Sequence, residues 1–208
     1  MAWSFADEIH ALSGFDADDG SGTAISGEVH TVHTNQWLTD GAKEVISQLP
    51  RPLLRLCSTI SSNFTSTAIG SESETLNTGK VLTVFAGNYE ARKIPSSKKH
   101  QANSSTSVEY ATSTDPVYYI EGNKINILPS STGSCNYEEV QYPTVAHSED
   151  SIAIFPDEAE HLVVLYAAIK ATEYMMLTEE DQEVYAPQLA TLKQDYAQGL
   201  AALKGGGQ

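Results

Sequence analysis

The chain reads as an α+β protein: a helical bundle made by an N-proximal helix and a long C-terminal antiparallel helix pair, with a β-rich middle insertion and an extended N-terminal arm. Three features carry that reading. Apolar residues recur at three- and four-residue steps on both sides of a middle stretch that lacks this period. The middle stretch holds β-branched runs broken by Gly-Asn pairs, the signal of hairpins. Ser and Thr crowd that stretch but occur only four times from residue 151 onward, at Ser151, Thr172, Thr178 and Thr191. The divisions that follow are 1–33 (arm), 34–60 (N-proximal helix), 61–150 (β-rich insertion), 151–204 (helical pair) and 205–208 (tail).

Residues 1–33 are acidic and rich in Gly and Ser, with Asp16, Asp18, Asp19, Gly20, Ser21 and Gly22 close together. So few apolar side chains do not repay the entropy of ordering the chain, which predicts an arm that is mobile alone or ordered only against a partner. Thr34 or Asn35 can cap a helix carrying Trp37, Leu38, Ala42, Val45, Ile46 and Leu49 on one face. Pro50 and Pro52 stop it, because the residue before a proline is pushed out of the α region. Leu53, Leu54, Leu56 and Ile60 continue the apolar face for a further turn or two.

Strands follow. Residues 80–86 and 89–95 flank Gly87-Asn88, and Val117–Ile120 and Ile125–Leu128 flank a turn at Glu121-Gly122-Asn123-Lys124. Alternation in the second return strand puts Ile125 and Ile127 together on the core side. Residues 138–145 predict another strand, with Pro143 at an edge or end. The Ser-rich stretch 96–107, with Lys98, Lys99 and His100, predicts an exposed loop.

The C-terminal stretch predicts a pair of helices. Pro156 opens the first helix, and Asp157, Glu158 and Glu160 complement its N-terminal dipole. Leu162, Val163, Tyr166, Ile169 and then Tyr174 keep one face apolar to about Leu177, with Leu162, Tyr166 and Ile169 expected to meet the second helix. Thr178 with Asp181 approximates a capping box that restarts a helix. In that second helix Leu189, Leu192, Tyr196 and Leu200 are expected to pack on the first stripe, antiparallel to it. Pro187 predicts a kink or break near Ala186. Gly205-Gly206-Gly207 ends the helix.

Composition narrows function by exclusion. With 12 Lys+Arg against 27 Asp+Glu, the formal net charge is −15 and the pI about 4.6. Such a chain lacks the clustered cations that grip nucleic-acid phosphates or anionic lipid. No apolar run approaches the roughly 18 residues of a membrane span. The start lacks the basic region of a secretory signal, so synthesis in a cytoplasm is expected. Two cysteines, Cys57 and Cys135, make no disulfide framework in a chain of this length.

Catalytic and metal-binding motifs are scarce. His30 and His33 stand three apart without a helix signal or a third ligand, and Glu158 and His161 stand three apart without the second such pair a di-iron bundle needs. Asp16 to Gly20 resembles a calcium loop in composition but lacks its spaced ligands and closing Glu. No phosphate loop, nucleophile elbow or dinucleotide fingerprint occurs. Asp7, Glu8 and His10 can be drawn into a triad with many serines, which is no evidence for one. Cys57 follows a leucine-rich run and reads as a small buried hydrophobe. Tyr118 and Tyr119 can stack a base or a sugar, but tyrosines alternating along a strand are commonly half core and half surface. The expectation is a protein with no catalytic, cofactor-binding or metal-binding residues.

Three stretches in order carry a family likeness: Trp37 to Ile46 running on to Leu49-Pro50; Asp115 to Ile120 with Ile125 to Pro129; and Phe155 to Ile169. Over about residues 34–204 the chain resembles virion structural proteins of tailed bacteriophages, neck components in particular. The nearest class is the head-to-tail adaptor, also called connector or gatekeeper, beneath the portal ring. The resemblance implies helices from both chain ends bundled together and a β-rich insertion directed toward the tail. It implies a homo-oligomeric ring, usually a dodecamer, that contacts the portal protein and a tail-side neck or tail protein. Viral DNA passes through its channel without sequence-specific binding, and no membrane is involved. The place implied is the virion neck, after synthesis in the bacterial host cytoplasm. Residues 1–33 fall outside the resemblance and are expected to reach a neighbouring subunit or the portal. Competing readings are a stopper, a tail terminator, a baseplate protein, a receptor-binding module using Tyr118 and the 96–107 loop, or a polymer-degrading virion enzyme with paired acids or a metal in a cleft.

Overall fold

A computed structural model describes residues 3–18, 28–65, 74–130, 134–178 and 182–205. In chain order its elements are α1 (Phe5–Ser13), β1 (Asp16–Asp18), β2 (Glu28–His30), α2 (Thr31–Gln48), α3 (Arg51–Leu54), a 3-10 turn at Arg55–Cys57, β3 (Ser58–Ile60), β4 (Phe64–Thr65), β5 (Glu74–Thr75), β6 (Val81–Ala86), β7 (Tyr89–Glu90), β8 (Arg92–Lys93), a 3-10 turn at Ser96–Lys98, α4 (Lys99–Asn103), β9 (Val117–Glu121), β10 (Lys124–Leu128), β11 (Ser134–Val140), α5 (Asp157–Thr178) and α6 (Gln182–Gly205). The fold is mixed α+β, with α5 and α6 packed together and a β-rich middle. Two compact units divide it: Met1–Cys57 with Tyr142–Gln208, and Ser58–Gln141.

The helical unit is built around α5. Ala159, Leu162, Val163, Val164, Leu165, Ala167, Ala168, Ile169 and Thr172 are all buried, so this helix is covered on most of its circumference. A helix apolar all round belongs inside a bundle, and here α1, α2 and α6 pack against it. Pairings run in opposite chain directions along α5 and α6: Glu173 meets Lys193, the Tyr166 ring lies 6.2 Å from the Tyr196 ring, and Leu162 abuts Gly199. The pair is therefore antiparallel. Two glycines set the close approaches. A Cβ at Gly41 of α2 would sit 3.0 Å from Tyr166 Cδ1, and one at Gly199 of α6 would collide with Leu162.

Residues 5–13 are not an extended arm but a helix. Ser4 and Asp7 form a reciprocal capping box, and Phe5, Ile9 and, just beyond the helix, Phe15 are buried. The signal was the Ser-x-x-Asp cap followed by Phe5, Ile9 and Leu12 at steps of four and three. Bulk acidity outweighed it in the sequence reading. β1 and β2 then pair in parallel, and α2 begins at Thr31, ahead of the expected caps. Residues 19–27 lie outside the described set.

The β-rich unit is two sheets face to face. One has the order β5-β10-β9-β8 and the other β3-β11-β6-β7, with β4 also paired to β11. Tyr118, Ile125 and Ile127 from the first meet Val84, Ala86, Cys135 and Tyr137 from the second, together with Leu76 and Ala91. The opposite face of β9 and β10 is covered too: Val117, Tyr119 and Leu128 pack with Ile94, Ala102 and Ala111. The β9–β10 hairpin closes on Gly122-Asn123, with Lys124 opposite Glu121 and Gly122 at φ 63°.

Four further expectations change. The stretch 89–95 is not one strand: β7 pairs with β6, while β8 pairs in parallel with β9 in the other sheet. The strand expected at 138–145 is β11, which ends at Val140, because its antiparallel partners β3, β4 and β6 lie opposite Ser134 to Val140. The loop expected at 96–107 contains α4, whose Ala102 is buried, while Lys98 and Lys99 pair with Glu109 and Glu121. Finally, α6 runs unbroken through Pro187, which stands little more than a turn from its start. Of the expected capping box, Thr178 is the last residue of α5, and Asp181 lies outside the described residues.

Candidate functional site

The residues singled out for chemistry are used structurally. Asp7 accepts from the Ser4 backbone N–H at 3.0 Å and from the Ser4 hydroxyl, which holds its carboxyl below the usual range. His33 lies in a ring cluster, 5.9 Å from Trp37 and 5.6 Å from Tyr174, and His30 supplies backbone to β2. Asp16–Asp18 is strand β1. Glu158 and His161 are exposed on α5. Among the described residues, no group of three or more His, Cys, Asp or Glu side chains could hold a metal ion. Cys57 and Cys135 are both fully buried. Tyr118 faces the sheet-to-sheet core and Tyr119 the cluster beneath α4, where burial raises its phenol pKa. Neither presents a ring for stacking a base or sugar, so Tyr118 is not the exposed residue that a receptor-binding use expected, whereas the 96–107 stretch stays largely at the surface around the buried Ala102.

The expected helical stripe is arranged unevenly. Leu162, Ile169 and Leu192 are buried, whereas Tyr166, Leu189, Tyr196 and Leu200 are half-buried. A buried carboxylate escaped the sequence reading. Glu139, 2% exposed, accepts N–H bonds from Asn77, Thr78 and Gly79 at 3.2, 2.7 and 2.9 Å, and another from the Thr78 hydroxyl at 3.1 Å. It ties the 77–79 turn to β11 beside the register shift at Glu138/Glu139.

Two depressions mark the helical unit. A cleft of about 390 Å³ is lined by Trp3, Phe5, Glu8, Ala11 and Leu12 from the N-terminal segment, and by Asp150, Asp157, Glu160 and His161. Burial raises the Glu160 carboxyl, and the charges of Asp157, Glu8 and Asp150 raise it further against the Ile152 N–H bond that favours its anion. A second groove, about 510 Å³, is mainly apolar, with Pro50, Pro52, Leu53, Leu162, Ala202 and Leu203 in its walls. Among the described residues, neither lining includes a Ser, Thr, Cys or Lys. The first repels anions, and the second offers apolar contact.

Charge is divided unequally between the units. The helical unit carries six Lys+Arg against 19 Asp+Glu, a formal −13, and the β-rich unit six against eight, a formal −2. Among the described residues no helix is long and apolar enough to cross a membrane. No protein-family model matches the chain, and no curated protein matches it either.

Proposed function

We propose that the chain is a structural protein of the tailed-phage neck, a head-to-tail adaptor that forms a ring between the portal and the tail side around the DNA channel, without catalysis. The observation that carries this reading is the composition of the helical unit. Residues 1–57 and 142–208 close one bundle, with residues 58–141 inserted as a separate β-rich unit. That is the plan implied by the likeness to neck adaptors.

Charge supports the same reading. An acidic wall repels the DNA backbone and lets a genome pass without adhering, and the acidity resides in the helical unit. Like-charged protomers repel one another, so their interfaces must be apolar or locally ion-paired. The single chain leaves apolar side chains uncovered for that purpose. Trp3, Val32, Leu56 and Leu177 are exposed in the helical unit, and Ile60, Tyr89 and Val108 in the β-rich unit. The β-rich unit, close to neutral, offers its surface to the tail-side partner.

The test is the symmetry of the purified assembly, by native mass spectrometry and electron-microscopic class averages, alone and with a portal protein. Twelvefold rings that seat on the portal are expected. Sixfold rings would move the protein to the tail side, and hydrolysis of cell-wall or capsular polymer by the purified chain would replace the structural reading with an enzymatic one.

A further inference from the structure

The docking of α1 sets apolar contact against repulsion. On one side, Phe5 and Ile9 are buried, the Phe5 N–H donates to the Glu149 carbonyl at 2.8 Å, and the Ala6 N–H donates to the His147 carbonyl at 2.9 Å. Gln188 of α6 donates to the Leu12 carbonyl at 2.7 Å, and the Phe15 ring lies 5.4 Å from that of Tyr185. On the other side, the cleft between α1 and α5 gathers Glu8, Asp150, Asp157 and Glu160 around one space, where His161 is the one basic side chain of the lining among the described residues.

The titratable groups that line the cleft are Glu8 from α1, Asp150 from the loop before α5, and Asp157, Glu160 and His161 from α5; near them stand Asp7 and His10 on α1, His147 and Glu149 on the loop, Glu158 in the first turn of α5, and Glu183 and Tyr185 at the start of α6. Asp7 is held in the helix cap, Glu149 accepts from the Ala146 N–H, and the His147 ring lies 3.0 Å from Asn35 Oδ1. Among the described residues, Glu8, Asp150 and Asp157 have no such partner for their carboxylates, and Glu160 has only the Ile152 N–H, at 2.6 Å.

We propose that α1 is an acid-tightened latch: residues 3–15 stay docked on α5 while Glu160 is neutral, and release more readily once it ionises beside the carboxylates of Glu8, Asp150 and Asp157 that line the same cleft. The sign follows from linkage. The docked state binds protons at Glu160 more tightly than a solvated carboxyl does, so its advantage is complete below the ordinary Glu range. That advantage is lost as pH rises through and above that range. Release would uncover Phe5, Ile9 and Phe15 together with the surface on α5 that they occupy.

Hydrogen exchange read by mass spectrometry on the full chain tests this. Protection of the amides of residues 6–13, corrected for intrinsic exchange and referred to α2, is followed from pH 4.5 to 7.5. In the unmodified protein it is expected to fall several-fold toward neutral pH and to recover on adding 1 M NaCl. Glu160→Gln, which keeps an acceptor for Ile152, and separately Glu8→Gln should flatten that fall and raise protection at pH 7.5. Protection of α1 that parallels α2 at every pH, or that falls as steeply in both variants, would overturn the proposal.

Discussion

Tyr196 on α6 and Glu139 on β11 show opposite outcomes for a polar group placed away from water. The Glu139 carboxylate meets three N–H groups and a hydroxyl. The Tyr196 hydroxyl is buried without a hydrogen-bond partner among the described residues, and burial, with smaller contributions from Glu44 and Tyr166, pushes its pKa up to about 12. A buried unpaired hydroxyl loses its hydration for nothing in return, so Tyr196→Phe should raise stability at neutral pH by about 1 kcal/mol. Above pH 10 an unfolded tyrosine ionises while the folded one does not, so wild-type stability declines from there toward pH 12 and the variant should decline less. Urea denaturation at pH 7, 10 and 11.5 checks both statements, and a lower midpoint for the variant at pH 7 would contradict them. Neither environment was legible in the sequence. The partners of Glu139 lie about sixty residues away along the chain, and a tyrosine at an apolar-stripe position carries no sign of whether its hydroxyl finds an acceptor.

Helical periodicity identified α5 and α6 but not how deeply each is buried. The reading assigned α5 one apolar stripe, whereas Val164, Ala167 and Ala168 off that stripe are buried too, because α1, α2 and α6 share the helix between them. The missing neighbour was α1, passed over because its cap and apolar spacing sit in an acidic stretch. α6 lies at the edge. Leu192 is buried, while Leu189, Tyr196 and Leu200 are half-buried. Leu192 thus anchors the docking of α6, helped by the Glu173–Lys193 pair at 2.9 Å. Leu192→Asp, which places an unpaired charge in that contact, should cost at least about 3 kcal/mol. An unchanged melting temperature would mean that α6 is held elsewhere. Short β elements were the least legible. β7 and β8 are two residues each and join different sheets, a division made by tertiary pairing and invisible to alternation along one strand.

At the scale of the molecule the sequence was informative about order: helix, β-rich middle and helical pair are all present, and the middle forms its own compact unit. Its boundaries at 57/58 and 141/142 differ from the expected 61–150, because β3 already belongs to the sheet and the 142–150 stretch returns to the helical unit, where Val145 and His147 bond to Thr39 and Asn35 of α2. The segregation of charge follows from the sequence once these boundaries are drawn. The function proposed for this arrangement is mechanical, a link whose use lies in its surfaces. Immunogold electron microscopy of tailed particles made by the host that carries the gene tests it most directly. Label confined to the junction of head and tail is the outcome this account predicts; label on the tail tip, or mature particles free of the protein, would contradict it.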